Sequence, residues 1–189
     1  HPTNTQSPYS ASKLSAEAIV TSFHLSFDLN IKIARVFNTY GPRQSSRAII
    51  PTIINQLLSK EKELKIGSLS PTRDLNYVED TCSALILLAN TKIKKDKIFN
   101  IGSNKRISVG ELTQKIMKLA NIKKPIKTET KRVRPINSEV NDLQCDNSLF
   151  YSLTNYLPET SLNEGLSKTI NFFNEQKNIN NLDKIEYSI

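Results

Sequence analysis

Apolar positions change their spacing along the chain, and each change marks an element. Ile19, Phe23 and Phe27 recur every fourth residue, the stripe of a helix that buries one face. Ser7 suits its N-cap and Pro8 its first position, so the helix is expected to run to about Leu29 and end at Asn30. Ile31–Phe37 is short, nearly continuous and β-branched, which predicts a buried strand, parallel to its partners because a long helix precedes it. Asn38-Thr39-Tyr40-Gly41-Pro42 breaks the pattern. A helix over Ala48–Ser59, a short strand over Leu64–Ile66, a turn at Gly67–Pro71 and an extended Leu75–Val78 follow. A helix over Glu79–Asn90 carries acids at its start, which suits the dipole. A strand over Lys97–Ile101 is closed by Gly102. Ser108 and Glu111 form a capping-box pattern ahead of a helix over Val109–Ala120. A small strand over Ile126–Lys131, helices over Asn147–Leu153 and Ser161–Gln176, and a loose polar tail after Lys177 complete the chain.

Helix and strand alternate, which predicts an α/β sheet with helices packed on it. In such sheets ligands bind beyond the carboxyl ends of the strands, and Asn38–Arg43 stands at one such end. The length of 189 residues suits one domain, or one domain with a small lobe. The net charge of +8 admits an anionic ligand, but the lysines are scattered and dense only in Lys92–Lys97 and Lys123–Arg134, as on a solvated surface. Zinc-finger spacing and RNA-binding aromatic signatures are absent, which argues against nucleic acid. Cys82 and Cys145 lie far apart and form no disulfide framework, and two histidines make no metal cluster; the expectation is a cytoplasmic protein without a metal. No run approaches the roughly 18 apolar residues that span a membrane. The start at His1, shortly before a helix, reads as a cut from a longer protein.

Tyr9 and Lys13 stand four residues apart in Ser7-Pro8-Tyr9-Ser10-Ala11-Ser12-Lys13, so they share a helix face. A fixed ammonium beside a phenol favours the phenolate, which is then a usable base near neutral pH. Glu17, four residues beyond Lys13, offers the ordinary alternative of a surface ion pair.

The ordered blocks Ser7-Pro8-Tyr9-x-x-Ser12-Lys13, Arg35–Arg43 (RVFNTYGPR), Ile50-Pro51, Arg73–Asp80 (RDLNYVED), Phe99–Gly102, Arg134-Pro135 and Ser161–Leu166 resemble the extended short-chain dehydrogenase/reductases, the NAD-dependent epimerase/dehydratase family. The resemblance covers all but the tail. It implies the C-terminal part of a Rossmann-like, doubly wound parallel sheet with a small α/β substrate-binding lobe. Residues 1–40 would complete the NAD-binding domain and 41–176 would be mostly substrate lobe, with 72–103 returning to the sheet. It implies that Tyr9 is the general base, and that Lys13 lowers its pKa and binds the nicotinamide ribose. The backbone around Phe37–Thr39 would lie near the nicotinamide, and Asn38 would bind the nucleotide-sugar through its diphosphate. Arg73 and Arg134 would meet the substrate phosphates, guanidinium being suited to that task. Tyr40 and Arg43 are lesser candidates. Tyr77 reads as core and Asp80 as a structural acid at a helix start.

The chain departs from the family in one respect. Its five glycines form no G-x-x-G-x-x-G loop, and the Ser/Thr and Asp-Glu partners of the family belong upstream of Tyr9. The implied cofactor is NAD rather than NADP, and the implied partners are a nucleotide-diphosphate sugar and a second copy of the chain. The blocks around Arg73 and Arg134 resemble bacterial 4,6-dehydratases of surface amino-sugar pathways. A 4-epimerase is the second reading and a non-catalytic nucleotide-sugar binding module the third.

Overall fold

The computed structural model describes residues 3–92, 98–133 and 140–180. The first helix, α1 (Pro8–Phe27), starts as its sequence requires. Ser7 is extended, its hydroxyl accepts from the Ser10 amide, and Pro8 occupies the first turn. The helix stops two residues before the expected Asn30, where Asp28 takes the left-handed conformation at φ 52°.

The stripe on α1 is a correction. Ile19, Phe23 and Phe27 are 57, 49 and 66 % exposed, and no residue of the helix is buried. An apolar face is buried only where a second layer lies across it, and none of the described residues lies across this face.

β1 (Ile33–Val36) runs parallel to β5 (Ile98–Ile101), as the long preceding helix requires. The broken pattern after Phe37 is nevertheless a strand. β2 (Asn38–Tyr40) pairs in parallel with β4 (Thr72–Tyr77), Asn38 opposite Leu75 and Thr39 opposite Asn76. Phe37 is the point of change: its N–H donates to the Ile101 carbonyl at 2.8 Å, the last bond to β5 before the chain joins β4. β6 (Arg106–Ser108) is antiparallel on the far side of β4, too short to show any alternation in sequence. β3 (Leu64–Ile66) pairs in parallel with β7 (Ile126–Thr128).

The remaining helices are α2 (Ile49–Leu58), α3 (Val78–Asn90), α4 (Val109–Ala120), α5 (Ser148–Thr154) and α6 (Leu162–Asn180), the last ending four residues later than expected. The capping box of Ser108 and Glu111 forms in full at α4. Two helices end on lysines from elsewhere in the chain. Lys32 donates to the carbonyls of Leu88, Ala89 and Thr91 at the end of α3. Lys124 donates to Gln56 and Ser59, and Lys177 to Leu58, at the end of α2. Cations at the negative ends of helices satisfy carbonyls that have no intrahelical partner, so part of the positive charge is structural.

Two cores result. The larger joins α2, β3, β4, α4 and α6 around Tyr40, Ile53, Leu64, Tyr77 and Ile116; the smaller joins α3, β5 and α5 around Leu88, Phe99 and Phe150. Among the described residues no helix is long and apolar enough to cross a membrane.

Candidate active site

Tyr9 lies on the first turn of α1 and Lys13 one turn on, and the Lys13 ammonium sits 5.4 Å from the centre of the Tyr9 ring. The ring is 72 % exposed, open to a ligand. Glu17 does not take the lysine. It turns the other way and holds Arg35 of β1 through two bonds, Nε to Oε1 at 2.8 Å and Nη2 to Oε2 at 2.6 Å. The surface pair expected as the alternative use of Lys13 is therefore replaced by a tie between α1 and the strand leading to Phe37 and Asn38.

The Arg35 hydrogen bond holds the Glu17 carboxyl below its ordinary range, outweighing its partial burial. A carboxylate whose folded pKa is depressed stabilises above its unfolded pKa and loses that contribution as pH falls through the folded value. Glu17→Gln is therefore expected to lower the hydrogen-exchange protection of α1 amides at neutral pH. As pH falls through the depressed Glu17 value, the variant and the parent should converge. A difference that persists undiminished in acid would show that the tie is not ionic.

Phe37 is half-buried, and Asn38 is exposed at the start of β2. The turn beyond holds Gly41 at φ 155° and Arg43 at φ 65°, and a Cβ on Gly41 would lie 2.6 Å from Val78 Cγ1. Glycine is what this turn accepts.

Arg73 of β4 is half-buried, and its Nη1 donates to the carbonyls of Thr72 and Val140 at 2.8 and 2.6 Å. It thereby holds the segment that begins at Val140. Arg134 lies outside the described residues. Tyr40, a lesser candidate, is 2 % exposed; burial and then the Asp80 carboxylate push its phenol up, and its ring packs edge-on to Tyr77 at 5.6 Å. It belongs to the core, as does Tyr77. The Asp80 carboxylate accepts the Glu159 and Thr160 amides, fastening the chain ahead of α6, which is a structural task.

Sequence reasoning passed over Asp74. It is fully buried and accepts from the Ser103 amide, the Ser103 hydroxyl and the Cys145 amide at 2.8, 2.7 and 3.0 Å. Residues 140–147 are laced across the strand ends by this carboxylate, by the Thr72 amide on Asn141 and by Asn147 on the Gly102 carbonyl. Cys145 is the buried residue of this strap, its thiol pushed up to about 12 by burial and then by the Asp74 and Asp146 carboxylates. No local signal singled out Asp74, because its strand, Thr72–Tyr77, also carries Arg73 and Asn76 and shows no apolar run.

The structure thus brings Tyr9 and Lys13 together, ties their helix to the strand entering Phe37 and Asn38, and sets Arg73 on the neighbouring strand. The model of the GDP-mannose 4,6-dehydratase family matches residues 1–169. The chain belongs to that family. A dTDP-D-glucose 4,6-dehydratase of Dictyostelium discoideum is 40 % identical over 121 residues, covering 64 % of this chain and 27 % of that protein. A putative UDP-glucose 4-epimerase of Methanocaldococcus jannaschii is 30 % identical over 175 residues, covering 91 % of this chain and 55 % of that one. In structure the chain is similar to the UDP-glucuronic acid 4-epimerase of Bacillus cereus in complex with UDP-glucuronic acid and NAD. The TM-score is 0.83 at 27 % identity, over 92 % of this chain and 54 % of that one. The chain therefore spans about half or less of the length of these family members, and its α/β fold is that of the Rossmann-type epimerases and dehydratases.

Proposed function

We propose that this chain carries the base and part of the substrate site of an NAD-dependent enzyme that transiently oxidises a nucleotide-sugar, a 4,6-dehydratase of bacterial surface-sugar biosynthesis. The observation that carries the reading is the Lys13 ammonium 5.4 Å from the Tyr9 ring, with Glu17 turned away to Arg35. The surface-sugar assignment rests on the blocks around Arg73 and Arg134.

Tyr9 takes the proton of the sugar hydroxyl through its phenolic oxygen. The Lys13 ammonium stands beside that ring and holds the ribose of the cofactor. Asn38 and Arg73 hold the diphosphate, with Arg134 beside the nucleotide. NAD, when bound, supplies the hydride acceptor. The exposed Tyr9–Lys13 face fits the nicotinamide-ribose end of NAD, and Phe37 is the backbone beside it. The five glycines include no phosphate-cradling loop, so the pyrophosphate has no binding loop in these 189 residues. The uncovered face of Ile19, Phe23 and Phe27 supports pairing of two copies through α1.

A 4-epimerase is the second reading, favoured by the likeness to the Methanocaldococcus jannaschii and Bacillus cereus epimerases. The complete gene product, given NAD and dTDP-glucose, GDP-mannose or UDP-glucuronic acid, is expected to release a product lighter by one water. An unchanged mass with inverted stereochemistry at one carbon identifies the epimerase. Binding without turnover identifies a binding module, and neither binding nor turnover overturns the proposal.

A further inference from the structure

Asn76 sits inside β4 between Leu75 and Tyr77, 1 % exposed, and its amide oxygen has no hydrogen-bond partner. Its amide nitrogen is 2.8 Å from the Thr81 hydroxyl, which is 3.1 Å from the Thr39 hydroxyl, which is 3.3 Å from the Phe37 carbonyl. Proton counting gives this chain one direction. A carbonyl only accepts, so Thr39 spends its single proton on Phe37. Thr81 must then donate to Thr39, and its own oxygen accepts from Asn76. The chain of donors runs Asn76, Thr81, Thr39, Phe37 carbonyl.

The peptides on either side of this stretch are held as well. The Phe37 N–H is bound to Ile101, and the Gln44 side chain donates to the Thr39 carbonyl at 2.9 Å. The stretch Phe37–Thr39 that carries Asn38 is therefore held at both of its ends. Strand alternation turns its side chain to the face opposite Thr39, and that side chain is exposed. A buried network with an unpartnered acceptor stabilises a fold no better than apolar packing does. What it supplies is orientation.

We propose that the Asn76–Thr81–Thr39 chain, with Gln44, is a positioning device that sets the Phe37–Asn38 peptide and so aims the Asn38 amide at the diphosphate of a nucleotide-sugar. The inference rests on the reading of Asn38 as a substrate ligand. Thr81 and Thr39 act through Asn38 and touch no reacting atom.

The test uses the complete gene product with NAD and either dTDP-glucose or UDP-glucuronic acid. Thr81→Val keeps the shape and cuts the chain in the middle; Thr81→Ser restores the hydroxyl. Thr81→Val is expected to raise KM and the calorimetric Kd about tenfold while kcat stays within about twofold, the pattern of lost uniform binding. Thr81→Ser is expected to return both to the parent values, and the thermal midpoints of the two variants to agree within a few degrees. Thr39→Val, which cuts the chain at its other end, should reproduce the shift and decides the matter if Thr81→Val does not fold. A folded Thr81→Val or Thr39→Val with parental Kd overturns the inference, as does Thr81→Ser behaving like Thr81→Val. If the unmutated gene product binds neither sugar nucleotide, the reading of Asn38 itself falls. Parental binding with silent threonine variants removes the positioning device alone.

Discussion

Replacing Tyr9 by Phe in the complete gene product is expected to lower kcat on its nucleotide-sugar by about 10²–10⁴-fold, the usual contribution of a positioned general base. Kd for the sugar nucleotide should stay within about twofold, because the change removes one hydroxyl and no binding contact proposed here. The substitution is clean. The ring that faces the Lys13 ammonium remains, the side chain is 72 % exposed, and α1 buries no residue that would register the loss. Circular dichroism should be unchanged. Initial rates and calorimetry on the same preparation separate the two effects, and unchanged turnover would remove Tyr9 from the chemistry. Lys13→Met is the companion variant: loss of turnover there as well would tie the phenol to its neighbour, since it removes the charge and keeps most of the stem.

The largest effect on stability is expected at Asp74. Asp74→Ala leaves the Ser103 and Cys145 amides, both bound to this fully buried carboxylate, without their acceptor. Stranding one buried and one part-buried donor costs about 2 kcal/mol or more. Asp74→Asn should fall between the parent and the alanine variant. Its amide oxygen can accept from Ser103, but its amide nitrogen meets the Cys145 N–H donor to donor. Urea unfolding of the gene product reads both variants. A loss under about 1 kcal/mol for Asp74→Ala would mean that the strap over residues 140–147 is held without it. The strap matters for the site because Arg73 is bound into it through the Val140 carbonyl. Gly102 belongs to the same junction, where a Cβ would lie 2.6 Å from the Cys145 Cβ. A side chain at Gly102 therefore forces the strap outward.

The helices were legible because their signals are local. Ser7 with Pro8, and Ser108 with Glu111, cap where their side chains can reach the first amides, and that geometry needs no partner. The strands Ile33–Val36 and Ile98–Ile101 were legible from short, largely apolar runs, but the expected burial of the first is a correction: β1 is only half-buried and Val36 is exposed. β2 and β6 were not, because Asn38-Thr39-Tyr40 and Arg106-Ile107-Ser108 hold no apolar run and exist through the hydrogen bonds that β4 offers on its two sides. The apolar stripe of α1 misled for a related reason: periodicity reports an apolar face, not what covers it.

The site divides in the same way. Sequence alone determined that Tyr9 and Lys13 share one face of a capped helix, since four residues are one turn. It also set Asn38 just beyond the apolar run of β1, although that residue opens β2 rather than a loop. Tertiary structure decided the rest. It sent Glu17 to Arg35 and left the ammonium at the phenol ring. It put Asn76, Thr81 and Thr39 in one line beneath Asn38, and Asp74 under a strap some seventy residues distant. Capping and helical spacing act over a few residues, so they are written along the chain. Ion pairs and buried networks join residues that only the packed sheet brings within 3 Å, so no local pattern encodes them.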